Sequence, residues 1–147
     1  MRVAVDTNVL VYAQGVDDAE KQVVANRFIE RLAVDETVIP TQVVGELYNV
    51  LVKRGRKREV ASHAANFWRA AFGTVHTSNE LMATAVDLAT EHHMKIWDAV
   101  VLAAAAEGRC DVLLSEDFQD GFAWRGVTVV NPFAAKPHKL LAKMLRG

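Results

Sequence analysis

Two acidic residues follow short apolar runs, at points where the chain leaves the predicted core. Asp6 comes directly after Val3–Val5, and Asp117 comes three residues after Val112–Leu114. Short β-branched or apolar runs of this kind are typical of buried parallel strands. Ligands of open α/β sheets bind at the carboxyl ends of such strands. Carboxylates at these two positions could therefore do chemistry on a bound ligand.

Two more acids interrupt the apolar faces of predicted helices. Glu46 shares a face with Val43, Leu47 and Val50, because residues three and four positions apart lie on one side of a helix. Asp98 interrupts an otherwise apolar segment, residues 96–102, in which Trp97 and the neighbouring alanines offer no obvious local cation. An unpaired buried carboxylate costs several kcal/mol, so both acids need a partner.

A divalent cation would supply that partner if the four acids meet in one crevice. Four close carboxylates repel one another strongly unless some are protonated or a cation lies between them. An all-oxygen set favours Mg²⁺ or Mn²⁺ over zinc. Cys110 is the single cysteine, and His92-His93 lacks the spacing of a zinc-binding helix. Each acid also has a simpler interpretation as a turn, cap or surface residue, so the prediction depends on all four together.

The rest of the chain alternates short apolar runs with amphipathic helices. This alternation predicts an α/β fold, a three-layer α/β/α domain with a short central, mostly parallel sheet flanked by helices. We expect Thr41 to cap one helix, Thr77 and Glu80 to form a capping box at another, and Gly108 to end the helix that carries Asp98. The predicted strands lie at residues 3–5, 38–40, 112–114 and 127–130, and the helices at about 17–33, 41–55, after 58, after 77, and 96–107.

Composition narrows the class of protein. The chain has 147 residues, of which 51% are hydrophobic and 24% charged, with a net charge of -1. It is therefore expected to fold as one compact domain, and it is neither histone-like nor a disulfide scaffold. With no signal-like start and no apolar run of membrane-spanning length, a cytoplasmic location is expected. Residues 1–133 form the predicted domain, and residues 134–147 form a basic, amphipathic tail of open role.

Taken together, the motifs resemble those of PIN-domain nucleases, and among these the VapC-type toxins of bacterial toxin–antitoxin pairs. The resemblance covers nearly the whole chain to Phe133. Each motif is short, but their order and spacing together are specific, and none of the family's acidic positions is substituted. The matching stretches are residues 6–10, 40–47, 97–105, 115–121 and 129–133.

The resemblance implies a metal-dependent endoribonuclease that hydrolyses RNA phosphodiester bonds. Asp6 and Asp98 would be the primary metal ligands, Glu46 would bind directly or through water, and Asp117 would complete the cluster. Mg²⁺ is the expected ion, and Mn²⁺ should be able to substitute for it. The resemblance also implies a cognate antitoxin that blocks the crevice, a homodimer as the basic unit, and no membrane partner.

Smaller polar residues beside the acids could orient them. The hydroxyls of Thr7 and Ser115 are suited to hold carboxylates in place, and Asn8 could contact a phosphate or cap the following helix. Asp120 could be a peripheral fifth acid, although a solvent-facing loop position is the simpler interpretation.

RNA binding requires positive charge, because the phosphate backbone dominates affinity. The clearest basic cluster is formed by Lys53, Arg54, Arg56, Lys57 and Arg58, which could equally be a solvated junction between helices. Lys95 and Arg125 are isolated in sequence and could lie near the acids.

Other functions remain open at this point. A haloacid-dehalogenase-type phosphatase also places Asp after its first strand, but it needs a second Asp where this chain has Asn8. A receiver-like signalling module would need tandem early acids and a lysine near the last strands. An RNA-processing nuclease of the PIN type without an antitoxin is the remaining alternative.

Overall fold

A computed structural model describes residues 1–146, and its elements alternate as the apolar runs and helical faces predict. The helices are α1 (Thr7–Ala13), α2 (Ala19–Ile29), α3 (Thr41–Lys53), α4 (Arg58–Ala71), α5 (Asn79–His92), α6 (Ile96–Glu107) and α7 (Lys139–Arg146). The strands are β1 (Val3–Val5), β2 (Thr37–Pro40), β3 (Gly73–Val75), β4 (Val112–Leu114), β5 (Ala123–Trp124) and β6 (Val127–Val130). A short 3₁₀ helix, Val34–Glu36, leads into β2.

The strands form one sheet in the order β3-β2-β1-β4-β6-β5. Every pairing is parallel except that of β5 with β6. Strand β1 is central, and its three residues are at most 4% exposed, as expected for a strand covered on both faces. Helix α1 packs on α2 and α3, α3 packs on α4, and α6 packs on α5 and lies along the sheet. The predicted three-layer α/β/α fold with a mostly parallel sheet is confirmed.

Helix α6 ends at Gly108 as the sequence predicts, but the physical reason is different. Gly108 has an ordinary φ of -73°, and the left-handed residue is Arg109, at φ 56°. A Cβ atom on Gly108 would lie 3.1 Å from Val75 Cγ2. Glycine therefore suits the close approach of α6 to β3, because a Cβ atom here would require the side chain of Val75 to shift.

Two predicted helix caps are wrong by one residue. Thr41 lies inside the first turn of α3, its hydroxyl donates to the carbonyl of Val75 at 3.4 Å, and Pro40 occupies the cap position without a side-chain hydrogen bond. At α5 the cap is Ser78, whose Oγ accepts from the amide of Leu81 at 3.1 Å. Thr77 and Glu80 therefore do not form the predicted capping box, because the cap hydrogen bond is the one between Ser78 and the amide of Leu81.

The basic tail contains a helix that packs against the domain. Leu141 in α7 is 2% exposed and belongs to the main hydrophobic core. The guanidinium of Arg31, just beyond α2, donates to the carbonyl of Leu145. The tail thus contributes to the packed structure up to Arg146. No helix within residues 1–146 is both long and apolar enough to cross a membrane.

Candidate functional site

The four predicted site acids come from elements that meet at the carboxyl edge of the sheet. Asp6 ends β1 and caps α1, while Asp117 follows β4, which pairs with β1. Glu46 lies in the second turn of α3, which begins where β2 ends, and Asp98 lies in the first turn of α6. Parallel pairing brings the ends of β2, β1 and β4 side by side, so the acids on these connections share one crevice.

Asp6 is the most deeply buried of the four, with 3% of its surface exposed. Its Oδ1 accepts from the amide of Thr7 at 2.7 Å, and its Oδ2 accepts from the hydroxyl of Ser115 at 2.6 Å. Burial is the main cause that raises the pKa of Asp6 to about 7; the charges of Asp117 and Asp98 contribute to the rise, and the two hydrogen bonds oppose it. A positive charge bound beside this carboxyl would therefore favour its ionised form at neutral pH.

Asn8 links the ends of β1 and β4 across the crevice. Its side-chain nitrogen lies 3.2 Å from Ser115 Oγ and 3.0 Å from Asp117 Oδ2. Its side-chain oxygen accepts from the amide of Glu116 at 3.3 Å, and the amide of Asp117 donates to Ser115 Oγ at 3.1 Å. This network fixes the loop that carries Asp117 relative to Asp6.

Glu46 is half-buried, and both of its carboxylate oxygens are held by neighbouring side chains. Thr7 Oγ1 donates to Oε2 at 3.1 Å, and Gln42 Nε2 donates to Oε1 at 3.0 Å. Thr7 therefore contacts both Asp6, through its backbone, and Glu46, through its hydroxyl. The predicted position of Thr7 beside the acids agrees with this geometry.

Asp98 is half-buried and is coupled to the rest of the cluster by charge. Burial raises its pKa, and Asp117 and Glu46 raise it further, whereas Lys95 lowers it. The sequence suggested no local cation for Asp98, but Lys95 precedes it by one helical turn. Lys95 thus lies near the acids, as anticipated.

The donor set fits a hard divalent cation, although the side chains do not form a closed ligand cage. Within residues 1–146, no three His, Cys, Asp or Glu side chains are grouped closely enough to hold a metal ion. The ion pairs found in that range, Met1 with Glu36, Lys21 with Glu116 and Arg54 with Asp17, leave the four site acids without a paired cation. Coupled carboxylates that lack a cation are chemically suited to Mg²⁺ or Mn²⁺.

The basic stretch from Lys53 to Arg58 lies away from the acids. It follows the end of α3, and seven residues separate Lys53 from Glu46, or about 10 Å of helix. Arg54 lies 3.4 Å from Asp17, and Arg56 donates to the carbonyl of Gln14 at 3.1 Å. Arg58 donates to the hydroxyl of Tyr48 at 3.2 Å, whereas Lys53 and Lys57 are exposed.

Two other anticipated residues also lie outside the cluster. Arg125 stacks over Trp124, with its guanidinium carbon 4.6 Å from the ring centroid, in the turn that precedes β6. Because β6 is parallel to β1, this turn is at the opposite edge of the sheet from the acids, and the expectation for Arg125 is wrong. Asp120 is exposed and accepts from the amide of Asn131 at 2.9 Å, so it fixes a loop connection.

A polar network beside the acids was missed at the sequence level. Glu116 accepts from Lys21 Nζ at 2.7 Å and from the hydroxyl of Tyr12. Lys21 Nζ also lies 5.4 Å from the ring centroid of Phe133. Lys21 and Glu116 are 95 residues apart, so no local pattern connects them. The network anchors the loop between Ser115 and Asp117 to helices α1 and α2.

Two open grooves flank the acids. One, of about 680 Å³, includes Glu46, Asn49, His76 and Trp97. The other, of about 510 Å³, is lined by Asp98 and Asp117 together with cationic or titratable side chains, namely His92, His93 and Lys95. An extended chain could pass from one groove to the other across the acids.

Comparisons with known proteins agree with this fold. The family model described as PIN domain matches residues 3–122. VapC20 of Mycobacterium tuberculosis, described as a sarcin-ricin loop cleaving toxin, is 19% identical with a TM-score of 0.65, over 76% of this chain and 86% of that one. A toxin–antitoxin complex from Klebsiella pneumoniae is 21% identical with a TM-score of 0.67, over 89% and 98%.

A third similar structure is FitAcB from Neisseria gonorrhoeae, which is 16% identical with a TM-score of 0.63, over 89% of this chain and 98% of that one. A sequence search among curated proteins gives no significant match. At these identities the solved structures establish a shared fold.

Proposed function

The chain belongs to the PIN domain family, and from this premise we propose that it is a metal-dependent endoribonuclease. The observation that carries the proposal is the burial of the Asp6 carboxyl beside the charges of Asp117 and Asp98, which together raise its pKa to about 7. A buried acid in this state binds a divalent cation well, because the cation supplies the charge that the protein itself does not.

Asp6 and Asp98 would hold the ion, with Glu46 bound directly or through water and Asp117 completing the cluster. When bound, Mg²⁺ supplies the Lewis acidity that activates water and neutralises charge on a phosphodiester. Mn²⁺ has similar oxygen preferences and should replace it. A second ion would be held by Asp117, and with Asp117 bound to the first ion the site would hold one.

The surrounding residues orient the carboxylates and oppose the rise in the pKa of Asp6. Ser115 donates to Asp6, and Thr7 donates to both Asp6 and Glu46. Hydrogen bonds to a charged carboxylate favour its ionised form, so these contacts prepare the cluster for a cation. Asn8 ties Asp117 to the same network and leaves the phosphatase alternative without its second aspartate.

The proposed biological role is that of a cytoplasmic toxin with RNA as substrate, a cognate antitoxin as partner and a homodimer as the working unit. This is supported by the fold shared with a toxin–antitoxin complex and with an RNA-cleaving toxin. An arginine of the antitoxin placed among the carboxylates would inhibit by neutralising the charge that the metal neutralises. Full nuclease activity in the purified complex would contradict that form of inhibition.

An RNA-processing nuclease without an antitoxin is the alternative role, favoured by the same acidic site. Induced expression separates the two roles. A toxin stops growth when expressed alone, and co-expression of its antitoxin restores growth. An RNA-processing enzyme has no such partner to neutralise it.

The direct test of the activity compares Asp98→Asn with Asp87→Asn. Asp87 is an exposed residue of α5 outside the acidic cluster. In Mg²⁺, wild type and Asp87→Asn should cleave single-stranded RNA. Asp98→Asn in Mg²⁺ and wild type in EDTA should both cleave it at least about 100-fold more slowly. Equal residual cleavage by all three proteins would indicate a contaminating nuclease and would contradict the proposal.

A further inference from the structure

The groove on the Glu46 side of the acids contains a large aromatic side chain that the core does not use. Trp97 is 51% exposed in the first turn of α6, one residue before Asp98. Phe67 is exposed to a similar degree, at 55%, but it lies on α4 and does not line either groove. Leaving an indole in water forfeits much of its burial energy, so its position beside the acids calls for an external contact.

A second part of the groove lining is the backbone of α3 at Gly45. Gly45 lies in the interior of the helix, where glycine is less favourable than alanine. A Cβ atom at this position would meet no atom of the chain within 4 Å. Internal packing therefore does not require glycine here, and its presence keeps the wall next to Glu46 accessible to something outside the chain.

Polar side chains with free hydrogen-bonding groups complete the groove. Asn49 extends from α3, and His76 and Thr77 extend from the loop before α5. Among the hydrogen bonds of residues 1–146, none involves the side chain of Asn49, His76 or Thr77. A flat apolar surface bordered by free donors and acceptors suits a planar heterocycle with polar edges.

We propose that this groove is a subsite for one unpaired nucleobase of the RNA substrate, stacked on Trp97 and passing close to Gly45. The proposal rests on the proposed nuclease function and adds to it the place where one base of the substrate binds. Bases stack on aromatic side chains only when they are removed from a helix. From Trp97 the strand would cross the acids toward Lys95, which lines the second groove.

Equilibrium binding tests the subsite separately from catalysis. The probe is a fluorescein-labelled octauridylate, which has little structure of its own, measured by anisotropy with Mg²⁺ in an Asp98→Asn background to prevent turnover. Trp97→Ala should weaken binding by about 5- to 100-fold, the usual loss for one stacked base. Trp97→Phe should bind within about threefold of the parent, and Phe67→Ala should bind like the parent.

Gly45→Ala provides a second test that separates binding from folding. Alanine is the better helix former, so this variant should melt about 2–4 °C higher. Its added methyl group should nevertheless weaken octauridylate binding several-fold, by narrowing the groove. A loss of affinity in a more stable protein is not explained by damage to the fold.

Three results would overturn the proposal. The first is octauridylate binding by Trp97→Ala within twofold of the parent. The second is an equal loss of octauridylate affinity in Trp97→Ala and Phe67→Ala. The third is a lower oligomeric mass for Trp97→Ala with unchanged octauridylate binding per chain. The last would identify Trp97 as a contact between copies. If Trp97-dependent binding is found but the wild type does not cleave RNA, the subsite stands and the nuclease function fails.

Discussion

Replacing Asp6 by Asn should change how the stability of the metal-free protein depends on pH. The carboxyl has a pKa of 3.8 when unperturbed and about 7 in the folded protein. Between these values the folded chain binds the proton more tightly than the unfolded chain does. Stability from this group is therefore fully present below pH 3.8, falls as the pH rises, and is lost above about pH 7.

The magnitude follows from the difference between the two pKa values. Each pKa unit corresponds to about 1.4 kcal/mol, so the full effect is about 4 kcal/mol. Between pH 5 and pH 8, the part that can be measured under mild conditions is about 3 kcal/mol. Asn cannot ionise, so Asp6→Asn should lack this component while sharing the pH dependence of the other titrating groups.

Urea denaturation in EDTA at four pH values from 5 to 8 measures the difference directly. The free energy of unfolding of the wild type should fall relative to that of Asp6→Asn by about 3 kcal/mol across this range. At pH 8, Mg²⁺ at 100 times its Kd should return about 2.7 kcal/mol to the wild type and little to the variant. Two pH curves that run parallel within about 0.5 kcal/mol would refute a buried, proton-holding Asp6.

Other substitutions test the surrounding residues. Ser115→Ala removes the donor to Asp6, and the rate of RNA cleavage should fall about 10- to 100-fold. Because this hydrogen bond lowers the pKa of Asp6, the pH at which the cleavage rate increases should also move higher. Lys21→Met leaves Glu116 without its cation. Because the pair is partly exposed, the free energy of unfolding should change by at most about 1 kcal/mol. The rate of RNA cleavage should fall several-fold. Leu141→Ala should lose about 2–4 kcal/mol in urea denaturation, without loss of cleavage per folded molecule. If the basic stretch contacts phosphates, Lys57→Ala should reduce the salt dependence of RNA binding by about one unit of slope; an unchanged slope would exclude that role.

Local patterns predicted most of the elements because their signals lie within a few residues of one another. The runs at 3–5 and 112–114 could bury both faces only as central strands, and the apolar segment of α6 could only be a packed helix. Strands β3 and β5 were not predicted. They are short, lie at the edges of the sheet, and carry exposed residues that give no apolar signal.

The helix caps show where local reasoning stops being accurate. Thr77 and Ser78 are both good capping residues, and only the path of the chain after β3 decides that Ser78 takes the position. Similarly, the space for a side chain at Gly108 is limited by Val75, which lies against it from β3. Such choices depend on neighbours that are distant in sequence.

The sequence by itself pointed to Asp6, Glu46, Asp98 and Asp117 as candidates, because an acid within or at the end of an apolar run is visible without any structure and needs a partner where it is buried. It also predicted the sheet edge at which they lie, since parallel strands share a direction. Only the tertiary structure decided which polar side chains hold them, because Ser115, Asn8 and Glu116 meet their partners across separations of up to 109 residues. It also placed Trp97 and Lys95 in the grooves beside the acids and the basic stretch at the far end of α3, because distance from the acids is set by packing and not by the number of positive charges.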